Sequence, residues 1–178
     1  MKLGSHARRR LAAAAAVAVV AIGVPVGALA ASAPHSAAVA RCNNGNTYAW
    51  FADASNGTAG YIYYPVEFTN VGHSSCTLYG YPGFSAVNGK AKQIGPAAKR
   101  SGGTPHTVTL KPGQTASAMV GILPPGFVTG CKTATAAGFR VYPPNETGGQ
   151  LMLNLSFAVC TNKRTLTIGA VTKGIGVP

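Results

Sequence analysis

The chain is poor in acids. Among its 178 residues only Asp53, Glu67 and Glu146 carry a carboxylate side chain. Hydrolysis by paired carboxylates needs two acids whose pKa values are held apart. Glu67 is expected to face outward from a strand, and Asp53 and Glu146 to sit in or beside turns, so that chemistry has no site here. Histidine is scarce as well. Of the four, only His73 and His106 lie in the body of the chain. A Ser-His-Asp set assembled from one of them, Asp53 and a serine lacks the nucleophile-elbow pattern, and both histidines read as exposed loop residues. There is no C-x-x-C pair, whereas structural zinc sites use short ligand spacings. Copper would have to draw on His73, His106, Met119 and Met152; both methionines fall on outward parities of their strands, and no His or Met doublet stands at ligand spacing. No catalytic residue, metal or other cofactor is assigned, and the chain is expected not to be an enzyme. Helical periodicity is also missing after the first thirty residues, where "ATAAG" (134–138) makes at most one short turn.

Positive charge is plentiful by contrast, with 15 Lys and Arg residues. Lys2 and Arg8 to Arg10 precede an apolar, alanine-rich run from Leu11 to Leu29, and "ALA" (28–30) supplies small residues for cleavage. Residues 1–31 read as a secretory signal peptide. Pro25 and Gly27 interrupt the run, and no stop-transfer charge follows, which argues against a retained membrane helix. Cys42 lies too far from the run for a lipoprotein signal. The expected product is a soluble, exported protein with a flexible lead-in over 32–41 and a single domain over 42–178. It keeps 11 basic residues against 3 acids, a net charge near +8. Such a field attracts anionic partners. The bases are scattered apart from Lys90, Lys92, Lys99 and Arg100, and no aromatic-plus-basic RNA motif accompanies them, so nucleic acid is set aside in favour of an anionic envelope polymer or another extracellular protein.

All four cysteines, Cys42, Cys76, Cys131 and Cys160, lie beyond the leader. An even count in an oxidising compartment reads as two disulfides. Of the three connectivities, Cys42–Cys76 with Cys131–Cys160 is preferred, because each pair brackets neighbouring strands. Each closes a loop of roughly 30 residues, and loop-closure entropy makes such a bridge worth about 3.5 kcal/mol.

The rest is written in period two, the spacing of half-buried strands. In "YIYYPVEFTN", Ile62, Tyr64, Val66 and Phe68 share one face; Tyr61, Tyr63, Glu67 and Thr69 share the other. Pro65 lacks an amide donor and suggests an edge or a bulge. "LMLNLSFAV" puts Leu151, Leu153, Leu155, Phe157 and Val159 on one side, with Met152, Asn154, Ser156 and Ala158 on the other. "TASAMVGI" turns Ala116, Ala118, Val120 and Ile122 inward. Val108 and Leu110, Phe139 and Val141, and Leu166 and Ile168 follow suit, and Tyr48 and Trp50 mark an opening strand. Turn signals such as "VNGK", "LKPGQ" and "LPPG" separate these runs. The expected fold is all-β: an antiparallel, immunoglobulin-like β-sandwich of seven to nine strands with two disulfides.

One stretch is more specific. Thr69, Asn70, Gly72, Cys76, Leu78, Gly80, Tyr81, Pro82 and Gly83, followed by Leu110, Pro112 and Gly113 and then Cys131 and Cys160, resemble an exported actinobacterial family catalogued as domain of unknown function 4232. The resemblance runs from Arg41 to Lys173. It implies a secreted or lipid-anchored sandwich with two disulfides and no established activity, so it carries no catalytic residues; the absence of a lipobox points to a released protein.

The functional expectation is a non-enzymatic binding module, secreted and loosely associated with the cell wall. Tyr61 and Tyr63, opposite the core, with Tyr79 and Tyr81 in the next loop, form the candidate recognition surface. The alternative is a secreted protease inhibitor presenting the rigid, disulfide-tethered loop Leu123 to Cys131, and a hydrolase or copper-binding protein ranks third.

Overall fold

The computed structural model describes residues 38–52 and 56–176, with the backbone alone at 153–155. The expected leader, the first part of the lead-in and Asp53 lie outside the described residues.

β1 (Thr47–Phe51), β2 (Asn56–Thr58) and β3 (Tyr61–Asn70) open the fold, followed by β4 (Cys76–Tyr79), β5 (Gly83–Val87), β6 (Lys99–Arg100) and β7 (Thr107–Leu110). β8 (Thr115–Ile122), β9 (Thr133–Tyr142), β10 (Gln150–Cys160), β11 (Leu166–Ile168) and β12 (Thr172–Lys173) complete it. The count exceeds seven to nine because β2, β6, β11 and β12 are only two or three residues long. "ATAAG" is part of β9 rather than a helical turn, and a single 3₁₀ turn stands at Pro125–Phe127.

A seven-stranded sheet runs β1-β3-β8-β11-β6, with β2 beside β3 and β12 beside β8. A three-stranded sheet (β10-β9-β5) and a two-stranded sheet (β4-β7) supply the rest. All pairings are antiparallel except β11 with β6. The sheets turn their apolar faces into one buried cluster, so the architecture is an all-β sandwich-like fold. Val66, Phe68, Val120, Ile122, Leu166 and Ile168 enter it from the large sheet, and Leu78, Phe84, Leu110, Phe139 and Val141 from the small ones. Aromatic rings fill its middle. Phe84 and Phe139 stack at 4.7 Å, and Phe51 meets Tyr64, Phe84 and Phe139 edge-on at 5.8–6.0 Å. Such pairs add about 0.5–1.5 kcal/mol each beyond area burial.

Three expectations need correction. Pro65 is neither at an edge nor in a bulge: β3 is interior. Its backbone faces the gap between β1 and β2, where Ala52 N–H donates to the Pro65 carbonyl at 3.1 Å, so the missing amide donor leaves no ladder bond broken. The β10–β9 pairing is irregular between Leu153 and Phe157, and the inward parity of both strands changes across it, from Met152 and Phe139 on one side to Phe157 and Ala136 on the other. Leu151 is 43 % exposed and Met152 packs on the core, the opposite of the expected sides, while Phe157 and Val159 remain inward. Glu67, expected outward, is buried. It does lie on the outer face of the large sheet, but the segment after β12 passes over it.

The cysteines are joined Cys42 to Cys76 and Cys131 to Cys160. The first bridge adds to backbone bonds that lay residues 40–42 beside β4: Cys42 N–H donates to the Thr77 carbonyl, and Thr77 N–H to the Ala40 carbonyl, both at 2.9 Å. The second fastens the loop after the 3₁₀ turn to the end of β10. Among the described residues no helix is long and apolar enough to cross a membrane.

Candidate functional site

Cross-strand register decides what shares the outer face of the large sheet. One row reads Asn56, Tyr63, Gly121, Thr167, Lys99 across β2, β3, β8, β11 and β6. Another reads Trp50, Glu67, Ser117, Thr172 across β1, β3, β8 and β12. Directly opposite residues point to the same side, so each row is a strip of one surface.

Tyr61 and Tyr63, two positions apart on β3, stack with ring centroids 5.7 Å apart and planes 28° from parallel. Both rings lean over Gly121. A Cβ there would lie 2.9 Å from Tyr63 Cε1, 3.2 Å from Tyr61 Cδ1 and 2.5 Å from Thr167 Oγ1. The glycine is thus the floor on which the tyrosine pair rests, a close approach that no side chain permits.

Beside this pair opens a cleft of about 540 Å³. Its floor is Pro65, Met119, Thr167 and Gly169, and Ser117 and Thr172 lie further along. One wall is the loop Ser101–Gly103. Ser101 N–H donates to the Ile168 carbonyl at 2.9 Å, Ala170 N–H to the Gly102 carbonyl at 3.2 Å, and the Tyr81 hydroxyl to the Gly103 carbonyl at 3.0 Å. Gly102 and Gly103 both have positive φ, +76° and +70°, which confines this tight turn to residues without a Cβ. The other wall is the strap Gly174–Gly176. Gly174 N–H donates to the Thr115 carbonyl at 2.9 Å and Gly176 N–H to Glu67 Oε1 at 3.1 Å. Ile175 stands 69 % exposed at its lip. Glu67 is 1 % exposed, and its Oε2 has no hydrogen-bond partner among the described residues. Among the described residues no side chain lining the cleft is charged. Lys99 is exposed at the end of the Tyr63 row, paired with Thr167 of the cleft floor.

The four candidate tyrosines therefore do not make one patch. Tyr61 and Tyr63 line the cleft. Tyr79 and Tyr81 flank a smaller recess of about 160 Å³ with Gly80, Arg100, Pro105 and Asn145. The Arg100 guanidinium lies 5.8 Å from the Tyr81 ring centroid, and Asn145 Nδ2 donates to the Tyr79 carbonyl at 3.0 Å. Tyr81 is the link between the two, since its hydroxyl holds the cleft wall. Tyr79 is 54 % exposed.

Tyr48 and Trp50, expected only as marks of an opening strand, also belong to the outer face. They are 59 % and 36 % exposed, and Trp50 Nε1–H donates to Thr69 Oγ1 at 3.1 Å. Their alternation with inward Thr47 and Ala49 is the signal that carries this.

The residues weighed for catalysis and copper are dispersed. His73 is exposed in the turn after β3. His106 is exposed before β7, its Nδ1 3.1 Å from the Thr104 carbonyl. Met119 lines the cleft, Met152 faces the core, and Glu146 sits in the β9–β10 connection. Among the described residues no three His, Cys, Asp or Glu side chains gather as a metal site. In the loop Leu123–Cys131, Phe127 is 69 % exposed on the 3₁₀ turn.

A family described as a domain of unknown function (DUF4232) matches residues 42–172. No curated protein and no solved structure matches the chain.

Proposed function

The chain belongs to the DUF4232 family of domains of unknown function, and on that premise we propose that it is an exported, non-enzymatic binding module whose working surface is the outer face of the seven-stranded sheet. The observation that carries this is the stacked Tyr61–Tyr63 pair set over Gly121 at the edge of the 540 Å³ cleft. Aromatic rings with polar tips give large contact area at small entropic cost, and the cleft lies within the roughly 300–1,000 Å³ range of small-ligand sites. Two disulfides suit an oxidising compartment, and the basic surplus suits attachment to an anionic envelope. The dispersal of acids and histidines supports a role without catalysis.

The test is retention of the full chain on purified cell envelope from the producing organism. Tyr63→Ala is expected to reduce retention at least tenfold, and Tyr79→Ala to leave it unchanged. Equal retention of Tyr63→Ala and wild type would refute the assignment of this face. The rival reading, a protease inhibitor presenting Leu123–Cys131, has in its favour the exposed Phe127 and the tether at Cys131. Against it stands the 3₁₀ turn at Pro125–Phe127, because a protease cleft takes its ligand extended. Inhibition at micromolar protein across a panel of extracellular proteases would reinstate it.

A further inference from the structure

Resting on that reading of the outer face, we infer that the cleft takes a segment of an acidic polysaccharide, one sugar ring laid on the Tyr61–Tyr63 platform and a sugar carboxylate met by Lys99. The C–H bonds of a pyranose ring gather on its flat faces and its hydroxyls on its rim. It therefore needs an aromatic plane beneath and small polar groups around, and the cleft offers both. Tyr61 and Tyr63 stack on each other over Gly121, which leaves room for their ring edges, so the outer face of the stacked pair is the plane left for a sugar. Ser101, Ser117, Thr167 and Thr172 bring hydroxyls to the lining.

Among the described residues the lining has no charged side chain, so they supply no counter-ion for the ionised groups of a peptide. Its interspersed hydroxyls do not suit an acyl chain either, since each would lose water without gaining a partner. A cation stands at the end of the Tyr63 row, where Lys99 on β6 lies beside Thr167 on β11 and three strands from Tyr63. The charge complement is general as well as local: beyond the expected leader the chain has 11 basic residues against 3 acids. A ligand carrying acid groups at intervals along a hydroxyl-rich chain fits both observations.

The experiment is an array of acidic and neutral oligosaccharides probed with the full chain, followed by calorimetric titration with a galacturonate hexamer and with its methyl ester, which keeps the sugar and removes the charge. Expected are binding of acidic members of the array and a methyl ester at least tenfold weaker than the acid. Tyr63→Ala should weaken both at least tenfold, Tyr63→Phe should keep most of the affinity because it keeps the ring, and Lys99→Gln should shrink the difference between acid and ester at least threefold. Circular dichroism and thermal unfolding of each variant separate lost binding from lost fold. No binding to any acidic glycan at millimolar concentration overturns the inference, as does binding indifferent to Tyr63→Ala, or tighter binding of a dT hexamer than of the glycans. Glycan binding absent while Tyr63→Ala still loses envelope retention removes the saccharide and leaves the outer face as the binding surface. Loss of neither removes both.

Discussion

Asn70 explains why the most specific stretch of the sequence is specific. It is fully buried, and all three of its side-chain hydrogen bonds go to backbone. Oδ1 accepts from Gly72 N–H, and Nδ2 donates to the Ser74 and Leu110 carbonyls, each at 2.9 Å. One side chain thereby closes the turn after β3 and ties it to the end of β7. A net hydrogen bond is worth about 1 kcal/mol, and a buried carbonyl left without its donor costs more. Asn70→Ala should lose about 3 kcal/mol in urea unfolding, and Asn70→Asp at least as much, because a carboxylate supplies no donor to the two carbonyls. A loss under about 1 kcal/mol would mean that the turns hold without it. Glu67 makes the complementary point. Period two placed it on the correct face, and the structure corrects its exposure, because Gly176, 109 residues later, lies over it. Gly121 is legible only as a glycine in a strand pattern; that two tyrosines need its missing Cβ is a tertiary fact. Gly121→Ala should displace the tyrosine rings at a cost of about 1–3 kcal/mol, the usual range for overpacking. It should also weaken envelope retention in step with Tyr63→Ala, which retention of the purified variant checks.

The elements differ in how much they owe to their neighbours. β8 turns Ala116, Ala118, Val120 and Ile122 inward as its pattern dictates, although Ser117 and Gly121 of its outer face are covered as well. β10 has the strongest alternating pattern and yet misleads in its first half, because its pairing with β9 is irregular between Leu153 and Phe157 and the inward parity of both strands changes there, and nothing within the strand announces it. The two disulfides do unequal work on the elements they join. Cys42 and Cys76 are both buried to within 1 % and join residues 40–42 to β4. Cys131 is only half-buried, and its loop is also held by Lys132 N–H to Asn162 Oδ1 at 2.7 Å and Asn162 Nδ2 to the Gly130 carbonyl at 2.9 Å. The loop lengths are similar, 34 and 29 residues, so chain entropy alone predicts nearly equal effects, about 3.5 kcal/mol each. Local packing breaks the tie. The Cys42→Ala/Cys76→Ala double variant should unfold at a lower temperature than Cys131→Ala/Cys160→Ala. Equal midpoints, or the reverse order, would mean that the hydrogen bonds of the second loop add nothing.

At the scale of the molecule, charge and shape act separately. The surplus of basic residues is spread over the surface, so its attraction to an anionic polymer is long-ranged and screened by salt, with a Debye length of about 10 Å at 0.1 M falling to about 3 Å at 1 M. Stacking on Tyr61 and Tyr63 is short-ranged and little affected by salt. Retention on anionic envelope polymer should fall steeply between 50 mM and 500 mM salt, whereas the ratio of wild type to Tyr63→Ala should stay nearly constant, as co-sedimentation at the two salts would measure. A ratio that collapses to one at high salt would assign retention to charge alone.

The amino-acid sequence alone was enough for the all-β class, the inward faces of most strands, the even cysteine count and the poverty of groups for acid–base chemistry. These follow from local periodicity and composition, which need no knowledge of distant residues. What the outer face presents was decided only in three dimensions. Alternation tells which side a residue takes and is silent on what comes to lie there. The strap over Glu67, the glycine under two tyrosines, the separation of Tyr79 from Tyr63 and the placing of Lys99 beside Thr167 all depend on which strands pair, and in what register, across tens of residues of chain.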